Sequence, residues 1–124
     1  MDDPRHKLGQ EGERLAERFL RKNGYKTLAR RFNTPVGEID LVMRDRQTIV
    51  FVEVKTRSDR TVAEPQDAVG AVKQRKLARA AGWFIHHKRF DHKPCRFDVV
   101  AVVIPGDGPA QIEHFPDAFL PQTG

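Results

Sequence analysis

The stretch GEIDLVMRDRQTIVFVEVKTR, residues 37–57, decides the fold of this chain. It contains two apolar runs, Glu38 to Arg44 and Thr48 to Thr56, on either side of a short polar turn at Asp45-Arg46. Two such runs around a tight turn predict an antiparallel β-hairpin. The second run is apolar enough from Val50 to Val54 to be a central strand of a sheet.

The hairpin is predicted to collect charged side chains on one face. Side chains alternate along a strand. In a tight register with position 40 opposite 51 and 38 opposite 53, one face therefore carries Glu38, Asp40, Glu53 and Lys55. The other face then carries Ile39, Leu41, Met43, Val50, Val52 and Val54. Like charges on adjacent strands repel each other, and a divalent cation is the simplest reason to hold these acids together.

The remaining pattern predicts helices and strands in the order α-β-β-β-α-β-β. Apolar residues at helical spacing and a glycine stop at Gly24 indicate a first helix. Gly9 and Gly12, on or near its buried side, would allow close approach to a sheet. The predicted segments are a helix over 9–23, strands over 25–32, 38–44 and 48–56, a helix over 66–88 with a break at Gly70, and strands over 96–104 and 111–115. Residues 1–7 and 117–124 are expected to be flexible ends. A single α/β domain over 1–124, with helices covering a mixed sheet, follows.

The amino-acid composition limits the classes of partner and the cellular location that we expect. The 124 residues carry 22 Lys and Arg against 17 Asp and Glu, a formal net charge of +5, which favours an anionic partner such as nucleic acid. The single cysteine, Cys95, excludes an internal disulfide and points to a reducing compartment. No apolar run long enough to span a membrane and no signal-peptide pattern are present. A cytoplasmic location without membrane association is therefore expected.

The acidic residues and the lysine suit metal-assisted phosphate chemistry. Magnesium prefers oxygen ligands and needs only one or two carboxylates, so Asp40, Glu53 and the Val54 carbonyl are the candidate metal ligands. Lys55 is placed to orient or deprotonate a water, or to stabilise developing negative charge. Glu13 on the first helix is a further candidate ligand. The alternative is a solvated strand face with a weak ion pair, but acids on a central strand need a cleft or a partner.

Basic residues follow the candidate site along the chain. If they share its surface they form a phosphate track, for which the candidates are Arg57, Arg60, Lys73, Lys76 and Arg79, with Arg75 and a later group at Lys88, Arg89, Lys93 and Arg96. The alternative is an ordinary solvated surface. His86, His87, His92 and Cys95 match no standard zinc spacing, and Trp83 and Phe84 are more typical of a core than of base stacking.

Several motifs of this chain resemble those of the YraN-like family of uncharacterised bacterial proteins, over about residues 8–119. The segments that carry the resemblance are 12–13, 37–41, 51–57, 73–77, 97–100 and 112–119. That family in turn resembles the PD-(D/E)xK nucleases, and within them the archaeal Holliday junction resolvases. The resemblance implies a restriction-endonuclease-like fold, with Asp40 as the motif aspartate, Glu53 and Lys55 as the (D/E)xK pair, and Glu13 as the glutamate of the first helix. Lys73 and Gln74 would match polar groups on the following helix.

The chain departs from that pattern at three places. Ile39 stands where the superfamily name has proline, Val62-Ala63 replaces an aromatic-glycine pair, and no tyrosine follows Gln74 in the way seen in some related nucleases. The resemblance implies a magnesium- or manganese-dependent endonuclease that acts on structured or branched DNA, and a homodimer. The alternative is a non-catalytic nucleic-acid-binding module that retains the endonuclease fold.

Overall fold

The computed structural model of the chain describes residues 4–58 and 69–120. The predicted order of elements, α-β-β-β-α-β-β, is confirmed. The elements are α1 (Pro4–Lys22), β1 (Lys26–Thr34), β2 (Gly37–Asp45), β3 (Thr48–Arg57), α2 (Ala71–Lys88), β4 (Cys95–Val103) and β5 (Gln111–Phe119). None of the helices in these two ranges is both long and apolar enough to span a membrane.

The five strands form one mixed sheet in the order β1-β2-β3-β4-β5. All neighbours are antiparallel except β3 and β4, which run parallel. A parallel pair needs a long crossover connection, and α2 lies within that connection. The result is the predicted α/β architecture, a mixed sheet with helices, which is consistent with a nuclease-like fold.

Each face of the sheet has its own apolar cluster. The cluster beneath α1 includes Ala16 and Leu20 of the helix with Val50 and Val52 of β3. The cluster beneath α2 includes Leu77, Ala80, Ala81 and Phe84 of the helix, with sheet residues such as Ile49, Phe51 and Val99. Because residues 49–52 of β3 alternate between the two clusters, β3 is covered on both sides, as its continuous apolar sequence predicts.

Helix α1 approaches the sheet most closely at Gly12. A methyl group there would meet the hydroxyl oxygen of Thr56 at 1.9 Å, so the helix rests directly on β3. A methyl group at Gly9, by contrast, would have no neighbouring atom within 4 Å, so only Gly12 provides the close approach. The helix ends at Lys22, and Gly24 beyond it has a φ of 94°, a conformation that glycine adopts without strain.

Both predicted flexible ends overlap regular structure. Helix α1 begins at Pro4 rather than residue 9, since proline suits the first helical position, where no N–H partner is needed. Strand β5 continues through Pro116 to Phe119, because a register shift opposite Phe97 and Val99 accommodates the left-handed Asp117, whose φ is 52°. Only residues 1–3 and 121–124 of the ends lie outside the described ranges.

The β2–β3 hairpin differs from its prediction by a two-residue slip. Leu41 pairs with Val52 and Asp45 with Thr48, so the turn is Arg46-Gln47. A slip of two keeps every side chain on its predicted face, and Val50, Val52 and Val54 do pack together beneath α1.

One prediction about the side of the sheet that a residue occupies was wrong. Ile39 packs beneath α2, whereas Leu41 and Met43 pack beneath α1. Strict alternation would place all three on the same side. The described ladder between β2 and β3 extends only as far as Leu41 and Val52, and the alternation of β2 fails at the next residue, Asp40.

Candidate functional site

Glu53 and two lysines form the centre of the predicted site. Glu53 follows Phe51 on the α2 side of β3 and is only 5% exposed. Its Oε1 lies 3.6 Å from Lys55 Nζ, two residues along the same strand, and also contacts Lys73 Nζ from the first turn of α2. Lys73 was predicted as part of a phosphate track, but the structure places it directly on the carboxylate of the (D/E)xK-like motif.

Asp40 joins this group through the backbone of β3. Its Oδ2 accepts a hydrogen bond of 2.9 Å from the Val54 N–H. This side-chain contact lies just beyond the Leu41–Val52 pair at the end of the described β2–β3 ladder. The bond holds the Asp40 carboxylate against the backbone between Glu53 and Lys55. The structure therefore brings together Asp40, Glu53 and Lys55, as the sequence predicted.

The environment of Asp40 disfavours its charged form. Burial, and then the negative charge of Glu53, raise the pKa of Asp40 to about 7, against an ordinary value of 3.8. The charge of Glu13 adds to the rise, while the Val54 hydrogen bond and the Lys73 charge oppose it. Asp40 is thus a carboxylate that lacks enough compensating positive charge.

The two lysines respond in opposite directions. Burial and the neighbouring Lys73 charge lower the pKa of Lys55, with Glu53 opposing. Burial alone would lower the pKa of Lys73 too, but its hydrogen bond and charge interaction with Glu53 raise it overall. Lys55 is therefore the more readily deprotonated of the pair.

Glu13 and Glu38 lie at the margin of the site. Glu13 faces Asp40 across a cleft that both residues line, but its Oε1 accepts a 2.7 Å hydrogen bond from Arg31 Nε. Arg31, whose φ of 43° is unusual for a side-chain-bearing residue, was not identified as a site residue from the sequence. Glu38 is exposed and forms no ion pair within residues 4–58 and 69–120.

The donor set fits a hard divalent cation in composition. Asp40, Glu53 and the Val54 carbonyl supply oxygen ligands only, and magnesium needs few protein ligands because it keeps several waters. The repulsion between the two carboxylates, expressed in the raised pKa of Asp40, is what a cation would relieve. In the described part of the chain, no three His, Cys, Asp or Glu side chains cluster so as to hold a metal.

The other predicted basic residues are distributed over several surfaces. Arg57 is exposed at the end of β3, and Lys76 and Arg79 are exposed on α2. Arg60 lies outside the described residues, as do Val62, Ala63 and the predicted first turn of α2 before Val69. Gln74 does not reach the carboxylates, because its side-chain amide donates a 2.8 Å hydrogen bond to the Val69 carbonyl.

Arg96, grouped with the surface cations from the sequence, is partly buried, with 21% of its side chain exposed. Its guanidinium binds Asp98 through Nε at 2.9 Å and Nη2 at 3.2 Å, and it also contacts Tyr25 and Asp45. Asp98 is fully buried, and it receives further hydrogen bonds from His114 at 2.7 Å and from the Asp117 N–H at 2.9 Å. Sequence reasoning missed this cluster, although a charged Arg-x-Asp in an apolar strand was a visible signal.

The two aromatic residues of α2 that were predicted for the core differ in burial. Phe84 is buried in the core, whereas Trp83 is only half-buried. Trp83 stacks on His87 with ring centroids 3.5 Å apart, and its other neighbour is Phe32. The rings of Trp83, His87 and Phe32 therefore pack against one another. The histidines of the described ranges do not form a metal-binding cluster.

Comparison with known proteins identifies relatives along most of the chain. The uncharacterised protein family UPF0102 matches residues 12–102. A UPF0102 protein of Syntrophotalea carbinolica is 50% identical over 112 residues, covering 90% of each chain. Another from Geobacter metallireducens is 47% identical over 113 residues, covering 90% of this chain and 91% of the relative. A third, from Anaeromyxobacter dehalogenans, is 44% identical over 118 residues, or 94% and 87%.

Proposed function

We propose that this chain, which belongs to the UPF0102 family, is a metal-dependent endonuclease that cleaves phosphodiester bonds in structured or branched DNA. The observation that carries the proposal is the under-compensated Asp40 carboxylate, held on the Val54 amide beside Glu53 and its two lysines. Strongly shifted carboxyl groups in a cleft with charged partners are typical of functional sites.

Asp40, Glu53 and the Val54 carbonyl would hold a magnesium ion, with manganese as a substitute. A bound divalent ion supplies charge for the phosphoryl oxygens and acidity for a coordinated water. The protein contributes the position of its two carboxylates, which β2 and β3 fix through the Asp40–Val54 hydrogen bond. Glu13, 2.7 Å from Arg31, holds that arginine at the entrance of the cleft.

Lys55 acts at the reacting phosphate. As a cation it stabilises the negative charge that develops in the transition state. Its lowered pKa also makes the neutral amine accessible, and that form accepts a proton from the attacking water. Lys73 keeps Glu53 paired until a cation takes its place. Arg57, Lys76 and Arg79 remain the candidate contacts to phosphates on this side of the sheet, and Arg60 is a further candidate from the sequence.

The proposal is tested by incubating branched, flapped and linear DNA with the protein and magnesium or manganese. We expect Asp40→Asn and Glu53→Gln each to reduce cleavage by at least about a hundredfold, a typical cost of removing one electrostatic catalytic group. Glu113→Gln, which neutralises an exposed carboxylate on β5, serves as the matched control and should cleave normally. Cleavage that survives both site variants would assign the activity elsewhere.

The alternative, a nucleic-acid-binding module without turnover, is favoured by one observation. Glu53 already has two ammonium partners, and no third carboxylate joins Asp40 and Glu53 within the described ranges. Titration calorimetry with manganese separates the two functions. The endonuclease requires binding that disappears in Glu53→Gln and is tighter at pH 8 than at pH 6, because a metal ligand must be deprotonated. The module predicts DNA binding without any manganese signal.

A further inference from the structure

A basic groove lies along the outer side of α1, away from the predicted phosphate track on α2. Its first part has a volume of about 460 Å³ and is lined by five cations and one acid: Arg14, Arg18, Arg21, Lys22, Arg30 and Glu17. We call this the α1–β1 groove, because the side chains come from helix α1 and edge strand β1.

The groove is continuous with the candidate active site. Its second part, of about 240 Å³, shares Arg14, Glu17 and Arg30 with the first and reaches Arg31 and Asp40. A ligand that follows the groove from the C-terminal end of α1 therefore arrives at the same carboxylate that the proposed reaction uses.

The charge of the groove is only partly neutralised within the protein. Glu17 binds Arg30 at 2.7 Å, and Glu11 binds Arg14 at 2.6 Å. Arg18 and Lys22, by contrast, are exposed and form no ion pair with any residue of the ranges 4–58 and 69–120. These two cations project into an open groove with no partner of their own there.

The spacing of these cations opposes helix stability. Arg14, Arg18 and Lys22 follow each other at i, i+4, where like charges repel and destabilise a helix. Lys22 alone is placed to gain from the helix dipole, since it lies in the last turn. An anionic ligand that spans more than one turn would offset the repulsion within this row.

We propose that the α1–β1 groove binds the sugar-phosphate backbone of double-stranded nucleic acid and directs the strand toward Asp40. A small anion would contact one or two of these cations, whereas a phosphate backbone matches a row of them. The destination at Asp40 rests on the proposed endonuclease function, but the binding itself does not. The groove would place the duplex across α1 and β1, in addition to any contact with α2.

The test is duplex binding without metal. Fluorescence anisotropy with a short labelled DNA or RNA duplex, in EDTA and over about 50 to 200 mM salt, measures affinity and salt dependence. We expect Arg18→Gln with Lys22→Gln to weaken binding at least tenfold at the low-salt end. The slope of log affinity against log salt should fall by nearly two, because each neutralised phosphate contributes about 0.9.

The matched control removes two exposed cations that line neither part of the groove and were not assigned to the phosphate track. Lys7→Gln with Arg46→Asn changes the net charge equally, and asparagine tolerates the positive φ of 57° at residue 46. The control should keep the wild-type slope. Equal losses in both variants, an unchanged groove variant, or absence of duplex binding by the wild type would each overturn the proposal. A groove variant that lost binding to anionic lipid vesicles but kept its binding to the duplex would overturn it too.

The outcome is separable from that of the proposed endonuclease. Loss of duplex binding in the groove variant, together with a wild type that never cleaves, supports the groove and contradicts the reaction. If the wild type cleaves DNA and the groove variant binds and cleaves normally, the reaction is supported and the groove is contradicted. Thermal unfolding verifies that the groove variant is folded, and the removal of like charges should not lower its melting temperature.

Discussion

Adjacent parallel strands of this sheet each carry a charged pair at the same two-residue spacing. On β3 the pair is Glu53 with Lys55, beneath α2, and on β4 it is Arg96 with Asp98, beneath α1. Asp98 accepts four hydrogen bonds, and these outweigh its burial and lower its pKa. Asp40, beside Glu53, accepts one from Val54, and its pKa rises to about 7.

The difference separates a charge that stabilises the fold from the charge that we propose to be functional. The Asp98 cluster is closed, because donors on β4 and β5 satisfy the hydrogen-bonding capacity of its carboxylate. These bonds connect the two strands. The Asp40–Glu53 group is open, because Asp40 experiences the charge of a second carboxylate and the cleft that Asp40 lines is accessible. Natural proteins tolerate such local instability mainly where function needs it.

The largest expected effect is at the closed cluster. Asp98→Ala leaves the partly buried Arg96 guanidinium without its main partner, and breaking a buried ion pair in this way costs about 3–5 kcal/mol. We expect the free energy of unfolding, measured by urea titration, to fall by that amount.

Asp45→Ala is the matched control for this change. Asp45 contacts the same Arg96 at 3.3 Å, but its side chain is 34% exposed, so its removal should cost no more than about 1 kcal/mol. If the two variants were equally stable, Asp98 would not be a structural anchor, and the contrast between the clusters would be lost.

At Asp40 we expect a substitution to raise the free energy of unfolding rather than to lower it. Asp40→Asn removes the repulsion with Glu53 while its amide oxygen still accepts from Val54. The shift from 3.8 to about 7 corresponds to about 4 kcal/mol if taken in full. Partial solvation reduces this, so we expect the metal-free variant to be more stable than wild type by about 1–2 kcal/mol at pH 8.

The pH dependence checks this assignment. A carboxyl whose pKa is raised by folding stabilises the protein while protonated, and this contribution is lost as the pH rises from about 4 through about 7. The stability gap between Asp40→Asn and wild type should therefore open over this window in thermal unfolding experiments. Glu38→Gln, on the same strand but exposed, should show no such gap. A gap that stays constant from pH 4 to 8 would contradict the raised pKa.

The smallest effect is expected at Lys73. Its side chain is 48% exposed, and Lys55 still faces Glu53 when Lys73 is removed. Lys73→Gln should lower the free energy of unfolding by less than about 1 kcal/mol, close to the value for the exposed control Lys76→Gln. A loss of about 3 kcal/mol would show that the Glu53 group contributes as much to stability as the Asp98 cluster, which would contradict the difference between them.

Much of the fold and the site follows from local sequence patterns. The order of elements was predicted from local periodicity, and the grouping of Asp40 with Glu53 and Lys55 was predicted from their shared hairpin. The two-residue slip of that hairpin leaves the parity of β3 unchanged. Lys73 was assigned to a track rather than to the site, since its position depends on how α2 packs against β3. The burial of Arg96 was missed for a similar reason, because its partners Tyr25 and Asp45 are distant in sequence.

The sequence by itself determined which residues carry charge and, for β3, which face of the strand they occupy, because strand periodicity is local. Only the tertiary structure decided which of those charges are satisfied. Arg96-x-Asp98 and Glu53-x-Lys55 are equivalent as patterns, yet one carboxylate gains donors from β5 and the other acquires a neighbouring acid from β2. The ionisation of a buried group depends on everything packed around it, and that surrounding exists only once the distant segments have been brought together.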